Sequence, residues 1–358
     1  MRVAKRCDIY CRVVDNFGDI GVLWRLARQL GDEFGWRVRL VVDDLTAFHT
    51  IEPTINDEKP QQWCGKTEVF AWKCPPIGDF VDVVIEGFGC QLPQGVVGTI
   101  AAQHPKPYWL NLEYLSAENW VAEHHLLPSQ HPQLGITKTF FFPGFVAGTG
   151  GLLRERDVQP PPPPILIQAP LKVLLFAYDL PSSASVAKVL ADSTRVAVVS
   201  VPTGALAERL LAIRLPKLDV AAFVPQREFD ARLTSFDLLL VRGEDSFIRA
   251  MWTGKPFVWQ IYPQADRAHW PKLEAFLDIY CVGLAAPAAR SLRALWHLAN
   301  GIQANPAASE SPASLWDDYL RHLPEIAVHA HRWTTAQMKQ PDLASNLVAW
   351  VEKSTKNP

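Results

Sequence analysis

Two clusters of side chains in this sequence have the types and spacing that chemistry needs. The first is Asp15-Asn16-Phe17-Gly18-Asp19, which sets two carboxylates four residues apart. A helical pattern begins just after it. Carboxylates beside the positive end of a helix stay ionised at neutral pH, where they can hold a cationic acceptor or remove a proton. The same residues also make an ordinary turn, with Asp15 or Asn16 closing an Asx turn and Asp19 capping the helix. The second cluster is Arg242-Gly243-Glu244-Asp245-Ser246, between an apolar run and a helical pattern over 247–252. There Gly243 permits a tight turn, free N–H groups at Asp245, Ser246 and Phe247 would point at a phosphate, and Ser246 adds a hydroxyl. The plainer alternative has Ser246 capping the helix and Arg242 paired with Glu244 or Asp245. Phe223-Val224-Pro225-Gln226 and Tyr262-Pro263-Gln264, at two further strand ends, each combine an aromatic ring with an amide. Ring and amide together can stack on a base and read its edge, although Phe223 alone reads more readily as core. The stretch from Asn111 to Trp120, with Glu113 and Tyr114, concentrates acids and aromatics without helical periodicity and either lines or buttresses the same region.

The elements that must position these residues follow from the hydrophobic period. Apolar, β-branched runs at 7–14, 37–42, 81–85, 108–112 and 137–142 read as strands, and Val22, Leu23, Leu26, Ala27 and Leu30 recur at helical spacing between the first two. After five consecutive prolines, Pro160 to Pro164, the alternation restarts. Strands are expected at 172–176, 195–199, 220–223, 238–241 and 257–260, with helices at 185–191 and 205–211 among them. Strands alternating with helices predict parallel, doubly wound sheets. The expected organisation is an N-terminal Rossmann-like domain over 1–158, a proline-rich linker over 159–168 and a second α/β domain over 169–340. A C-terminal helix at about 341–358 is expected to pack back on the first domain. Two such domains facing across a cleft would bind ligands at the carboxyl ends of their strands.

Composition and missing motifs narrow the function. Lys plus Arg total 35 against 37 acids, a formal charge of −2, which argues against a protein that grips nucleic acid through its phosphates. No apolar run approaches the ~20 residues of a membrane helix and the N-terminus lacks a secretory apolar stretch, so a soluble, cytoplasmic protein is expected. Six cysteines without a C-x-x-C pair read as reduced, mostly buried thiols. There is no phosphate-loop, H-E-x-x-H or G-x-S-x-G motif, and Gly148-Thr149-Gly150-Gly151, with Leu153 where a third glycine belongs, reads as a turn. His124-His125 and His329-Ala330-His331 lack partners at metal spacing, so no metal is expected.

The segments 15–19 and 21–30, then Leu112-Glu113-Tyr114-Leu115-Ser116-Ala117-Glu118, Phe142-Pro143-Gly144-Phe145 and Arg242-Gly243-Glu244-Asp245-Ser246-Phe247, resemble the bacterial protein-arginine rhamnosyltransferases that modify translation elongation factor P. The likeness spans nearly the whole chain. It implies a GT-B architecture, dTDP-β-L-rhamnose as donor, elongation factor P as the protein partner, and a monomer needing no cofactor. By similarity, Phe223 stacks on thymine, with Phe176, Tyr178 and Gln226 helping to hold the base, while Arg242, Asp245, Ser246 and Tyr262 hold ribose and diphosphate. Glu244 is then an essential acid beside the sugar, and Asp19 acts on the acceptor arginine. Asp15 shapes that pocket, which Asn16, Phe17 and Glu113 help to form. The residues alone leave open another GT-B donor or acceptor, or a binding module without catalysis in which the loop acids are only caps.

Overall fold

The computed structural model describes residues 4–15, 17–164, 170–302 and 310–356. The chain divides into two units, Met1–Val158 with Gln340–Pro358, and Gln159–Lys339.

In the first unit the elements run β1 (Arg6–Cys11), α1 (Gly18–Phe34), β2 (Arg37–Val42), α2 (Leu45–Ile51), β3 (Gln61–Cys64), β4 (Thr67–Ala71), β5 (Val83–Gly87), α3 (Gln94–Ala102), β6 (Tyr108–Leu112), α4 (Trp120–His124), β7 (Pro128–Gln130) and β8 (Thr137–Phe141). They form one sheet in the order β3-β4-β2-β1-β5-β6-β8-β7, in which only the two outer strands, β3 and β7, pair antiparallel. The parallel strands thus follow the doubly wound order of dinucleotide-binding folds, with β1 at the centre. Centrality explains the composition. Every residue of β5 is buried, as are five of the six in β1, because a parallel sheet is covered on both faces.

The second unit runs β9 (Leu171–Phe176), α5 (Pro181–Asp192), β10 (Val196–Pro202), α6 (Ala205–Ala212), β11 (Leu218–Ala221), α7 (Gln226–Thr234), β12 (Leu238–Arg242), α8 (Gly243–Trp252), β13 (Phe257–Gln260), α9 (His269–Tyr280), α10 (Ala286–Ala299) and α11 (Pro312–Gln337). Its five strands are all parallel, in the order β11-β10-β9-β12-β13. Under the sheet, Phe247 stacks on Trp259 with ring centroids 4.3 Å apart, and Phe257, Phe276, Tyr280 and Trp296 complete an aromatic core.

Several boundaries differ from the sequence expectation. The first strand stops at Cys11 rather than at residue 14, because Val13 donates its N–H to the Asp43 side chain at 2.9 Å instead of joining the ladder. The hairpin β3–β4, turning at Gly65 with φ +57°, and the edge strand β7 lie in segments too short and polar to show a strand period. The helix after Arg242 begins at Gly243, not at residue 247, since Gly243 at φ +67° turns the chain straight from strand into helix. Residues 154–156, ahead of the expected linker, are held to the first unit. Glu155 accepts from Nε and Nη2 of the buried Arg25 at 2.7 and 2.6 Å, and the Arg156 N–H donates to Glu33 at 2.8 Å. Of the expected linker, residues 165–168 lie outside the described residues. Pro161 packs against Gly254, where an added Cβ would meet the proline ring at 2.6 Å.

The last helix, α12 (Leu343–Lys356), belongs to the first unit. It lies along α1, Asn346 donates to the Gly150 carbonyl at 3.0 Å, and Trp350 meets Tyr108 edge-on at 5.7 Å. All six cysteines are free thiols. Among the described residues, no helix is long and apolar enough to cross a membrane.

Candidate active site

At the carboxyl end of the first sheet, the strand β1 hands over to α1 through the loop that carries Asp15 and Asp19. Gly18 is needed there for space. The Gly18 N–H donates to the Asp15 carbonyl at 2.6 Å, and a Cβ on Gly18 would come within 2.7 Å of the Asp15 carboxylate. Phe17 occupies the N-cap position of α1 without a side-chain cap, and Asn16 lies outside the described residues. Asp19 therefore does not cap the helix as the turn reading expected. It sits inside the first helical turn, 2% exposed, and reaches back so that Oδ2 accepts from the N–H groups of Val14 and Asp15 at 2.7 and 2.9 Å. Burial pushes the Asp19 carboxyl up from its ordinary range, the two backbone donors and a hydrogen bond from Tyr114 pull it down, and the nearby Asp43 raises it further. The result is a carboxylate more basic than usual yet held in one orientation.

Neighbouring strand ends complete this corner. Beyond β2, Asp43 takes the Val13 N–H and has Arg12 Nε 3.9 Å away, with the Arg12 guanidinium over Trp72 beyond β4. Beyond β6, Glu113 accepts a hydrogen bond from the buried Asn111, whose Oδ1 in turn accepts from the Gly89 N–H at 3.1 Å. Tyr114 stacks on Phe88 with centroids 4.4 Å apart. The structure thus gathers Asp15, Phe17, Asp19 and Glu113 at one sheet end.

In the second unit, the base-reading and phosphate-holding candidates also converge on strand ends. The Arg242 guanidinium lies 4.9 Å from the ring centroids of both Phe176 and Tyr178, a cation–π arrangement that fixes its direction. Tyr178 meets Tyr262 edge-on at 5.7 Å, and Phe223 lies 6.4 Å from Phe176. Phe223 is only half-buried, so the core reading fails for it: β11 ends at Ala221, two residues earlier. Gln226 donates to Asp245 at 3.0 Å. Asp245 also accepts from Arg249 at 3.2 Å, and Glu244 has Lys272 Nζ 3.8 Å away. The helix start at Gly243 moves the first-turn N–H groups two residues earlier than expected, to 243–245, and Ser246 lies half-buried past the cap position.

Some supporting residues were not read from sequence. Buried Arg249 bridges Asp245 to Asp230, which it binds with two contacts of 2.7 Å; its only sequence signal is helical spacing from Asp245. Gln260 accepts the Tyr178 N–H at 2.6 Å and donates to Ser183 and the Ala299 carbonyl, both at 2.9 Å, so β13 anchors the loop that carries Tyr178. Lys272 and Asp43 are distant in sequence from the acids they approach and carry no local motif. Among the described residues, no group of three or more His, Cys, Asp or Glu is placed to hold a metal ion.

Comparison with known proteins gives these strand ends a context. The family model for the elongation-factor P (EF-P) rhamnosyltransferase EarP matches residues 7–161 and 165–352. The chain belongs to the EF-P rhamnosyltransferase family. It is 40% identical to the protein-arginine rhamnosyltransferase of Pseudomonas putida, over 97% of this chain and 98% of that protein. With the enzyme of the same name from Neisseria meningitidis serogroup B it shares 35% identity, over 98% of each chain. The structure of EarP solved to explain arginine glycosylation of EF-P superposes with a TM-score of 0.64, at 29% identity over 98% of this chain and 99% of that one. The glycosyltransferase VinC in complex with dTDP matches in fold alone, with a TM-score of 0.55 at 13% identity over 99% and 100% of the two chains. This member of the rhamnosyltransferase family is thus an enzyme with the GT-B glycosyltransferase fold.

Proposed function

We propose that the enzyme transfers L-rhamnose from dTDP-β-L-rhamnose to an arginine side chain of EF-P, with inversion at the anomeric carbon, in the cytoplasm. The observation that carries the reading is Asp19, a buried carboxylate of raised basicity fixed by two backbone donors at the start of α1. Arginine needs such a group. Its guanidinium stays protonated at any physiological pH, and its delocalised nitrogens are poor nucleophiles. In this reading Asp19 hydrogen-bonds one guanidinium nitrogen, localises the charge, and accepts its proton as that nitrogen attacks the anomeric carbon. The bond from that carbon to the diphosphate oxygen breaks on the opposite face, so β-rhamnose gives an α-linked product. Asp15 and Glu113 supply further negative charge to hold the cationic side chain, beside Phe17 and Asn16.

On the donor side, Phe223 stacks on thymine, with Phe176, Tyr178 and Gln226 framing the base. Arg242, Asp245, Ser246 and Tyr262 hold ribose and diphosphate, with Glu244 beside the sugar. The charge that builds on departing dTDP is met by Arg242 and the positive N-terminal end of α8. This requires no metal. The test is the intact mass of EF-P after incubation with the protein and dTDP-β-L-rhamnose, followed by fragmentation. One added deoxyhexose on a single arginine is the expected result. No adduct despite calorimetric binding of dTDP-rhamnose would turn the reading to another acceptor or to a non-catalytic binding module, and no binding would remove the donor assignment.

A further inference from the structure

Asp19 is held from two directions. From its own loop, the N–H groups of Val14 and Asp15 fix Oδ2. From across the sheet, the Tyr114 hydroxyl reaches the same carboxylate. Tyr114 follows the end of β6, two strands away from β1 in the sheet order. Its placement is built with some care. The ring lies parallel to that of Phe88, at an interplanar angle of 14° and a centroid separation of 4.4 Å. Phe88 itself has φ +56°, a strained conformation for a bulky residue that persists only where its surroundings impose it. They do so here: the Phe88 N–H donates to the Leu112 carbonyl at 2.6 Å, and the preceding Gly87 leaves no room for a side chain, since a Cβ would meet the Tyr10 carbonyl at 2.9 Å and Leu23 at 2.3 Å. The ends of β5 and β6 thus form a rigid platform whose one polar tip, the phenol oxygen, is delivered to Asp19.

We propose that Tyr114 is a positioning residue for the transfer reaction, its hydroxyl orienting the Asp19 carboxylate toward the acceptor guanidinium from a platform made by Phe88. The inference rests on the role given to Asp19 above. A phenol that donates to a carboxylate favours the ionised form and removes one rotational choice, so the unshared lone pairs keep a fixed direction. The other groups facing Asp19 act differently. Asp43 from the end of β2 opposes its ionisation, Cys11 at the end of β1 is a buried thiol whose own ionisation Asp19 disfavours, and Asp15 contributes a backbone N–H. Tyr114 thus acts against Asp43.

Tyr114→Phe tests this, because the ring remains to stack on Phe88 and only the hydroxyl is lost. The pH profile of kcat for EF-P modification should show its acid limb moved up by about one pH unit, with kcat at neutral pH reduced about tenfold and the KM for donor unchanged. A profile that superposes on that of the native enzyme would overturn the proposal, as would a change in donor KM alone. A second readout does not depend on turnover: the carboxyl carbon of Asp19, followed by NMR in protein labelled at aspartate and assigned through Asp19→Asn. Its titration midpoint should rise in Tyr114→Phe. If the midpoint rises while neither protein modifies EF-P, the positioning stands and the acceptor reading fails. If EF-P is modified and the midpoint does not move, the positioning fails.

Discussion

Replacing Asp19 with asparagine should remove most of the transfer activity while leaving the fold at least as stable. In the native protein Oδ2 accepts from Val14 and Asp15 at 2.7 and 2.9 Å, and Tyr114 supplies a third hydrogen bond. Asparagine keeps a carbonyl oxygen for both backbone donors, and its amide nitrogen can donate to the phenol oxygen, so each partner still has a match. What disappears is the negative charge. Burial raises the Asp19 carboxyl above its unfolded value, so the native state binds that proton more tightly than the unfolded chain does. The stability this gives is present below the unfolded value and is lost as pH rises through the folded one; at neutral pH the buried charge is a net cost that the amide removes. The rate moves the other way. Losing a general base costs about 10²–10⁴ in turnover, or about 3–5 kcal/mol of transition-state stabilisation. The assay is single-turnover intact mass of EF-P at saturating donor, beside a thermal melt at pH 7 and a calorimetric titration with dTDP. A rate at least about 100-fold lower, unchanged dTDP affinity and a midpoint no lower than native are expected. Near-native turnover would refute the base role, and a midpoint lowered by more than about 4 °C would show instead that the charge holds the loop.

Other substitutions separate the donor site from the scaffold. Phe223→Ala should weaken dTDP binding by about 1–3 kcal/mol in calorimetry if a base stacks there, and unchanged affinity would leave Phe223 a packing residue only. Arg249→Met removes the cation between Asp245 and Asp230. Because Asp230 is 58% exposed and loses little, the effect should fall on Asp245 and Gln226 and be read as a tenfold or greater rise in the dTDP dissociation constant, of order 1.4 kcal/mol. Glu155→Ala removes the carboxylate that binds Nε and Nη2 of Arg25, only 1% exposed, and should lower unfolding free energy by about 3–5 kcal/mol in urea titrations. A loss under about 1 kcal/mol would mean that water reaches Arg25 and replaces the carboxylate.

Much of this molecule is legible in the sequence, because the relevant physics is local. Apolar runs such as 37–42 and 238–241 must be strands covered on both faces, the period of 22–30 must be an amphipathic helix, and their alternation dictates a parallel sheet. The junctions Asp15 to Asp19 and Arg242 to Ser246 stand out because turn formers and acids interrupt those runs where a strand must end. The likeness to arginine rhamnosyltransferases rests on these junctions together with the segments 21–30, 112–118 and 142–145. What no local pattern contains is partnership across the sheet. Asp19 reads as a cap until the fold shows it bent back on Val14 and Asp15 with Tyr114, 95 positions later, donating to it. Phe223 reads as core until β11 ends short of it, and nothing local places the Arg242 guanidinium over Phe176 and Tyr178. Gln260 and Arg249, buried polar groups, become intelligible only when their hydrogen bonds can be followed to Tyr178 and Asp245. Period and turn chemistry act between residues a few positions apart, so the sequence by itself determined the elements and their class. Burial, hydrogen bonding and charge act between residues close in space, so only the tertiary structure decided which acid is basic, which ring lies beyond its strand and which groups hold them in place.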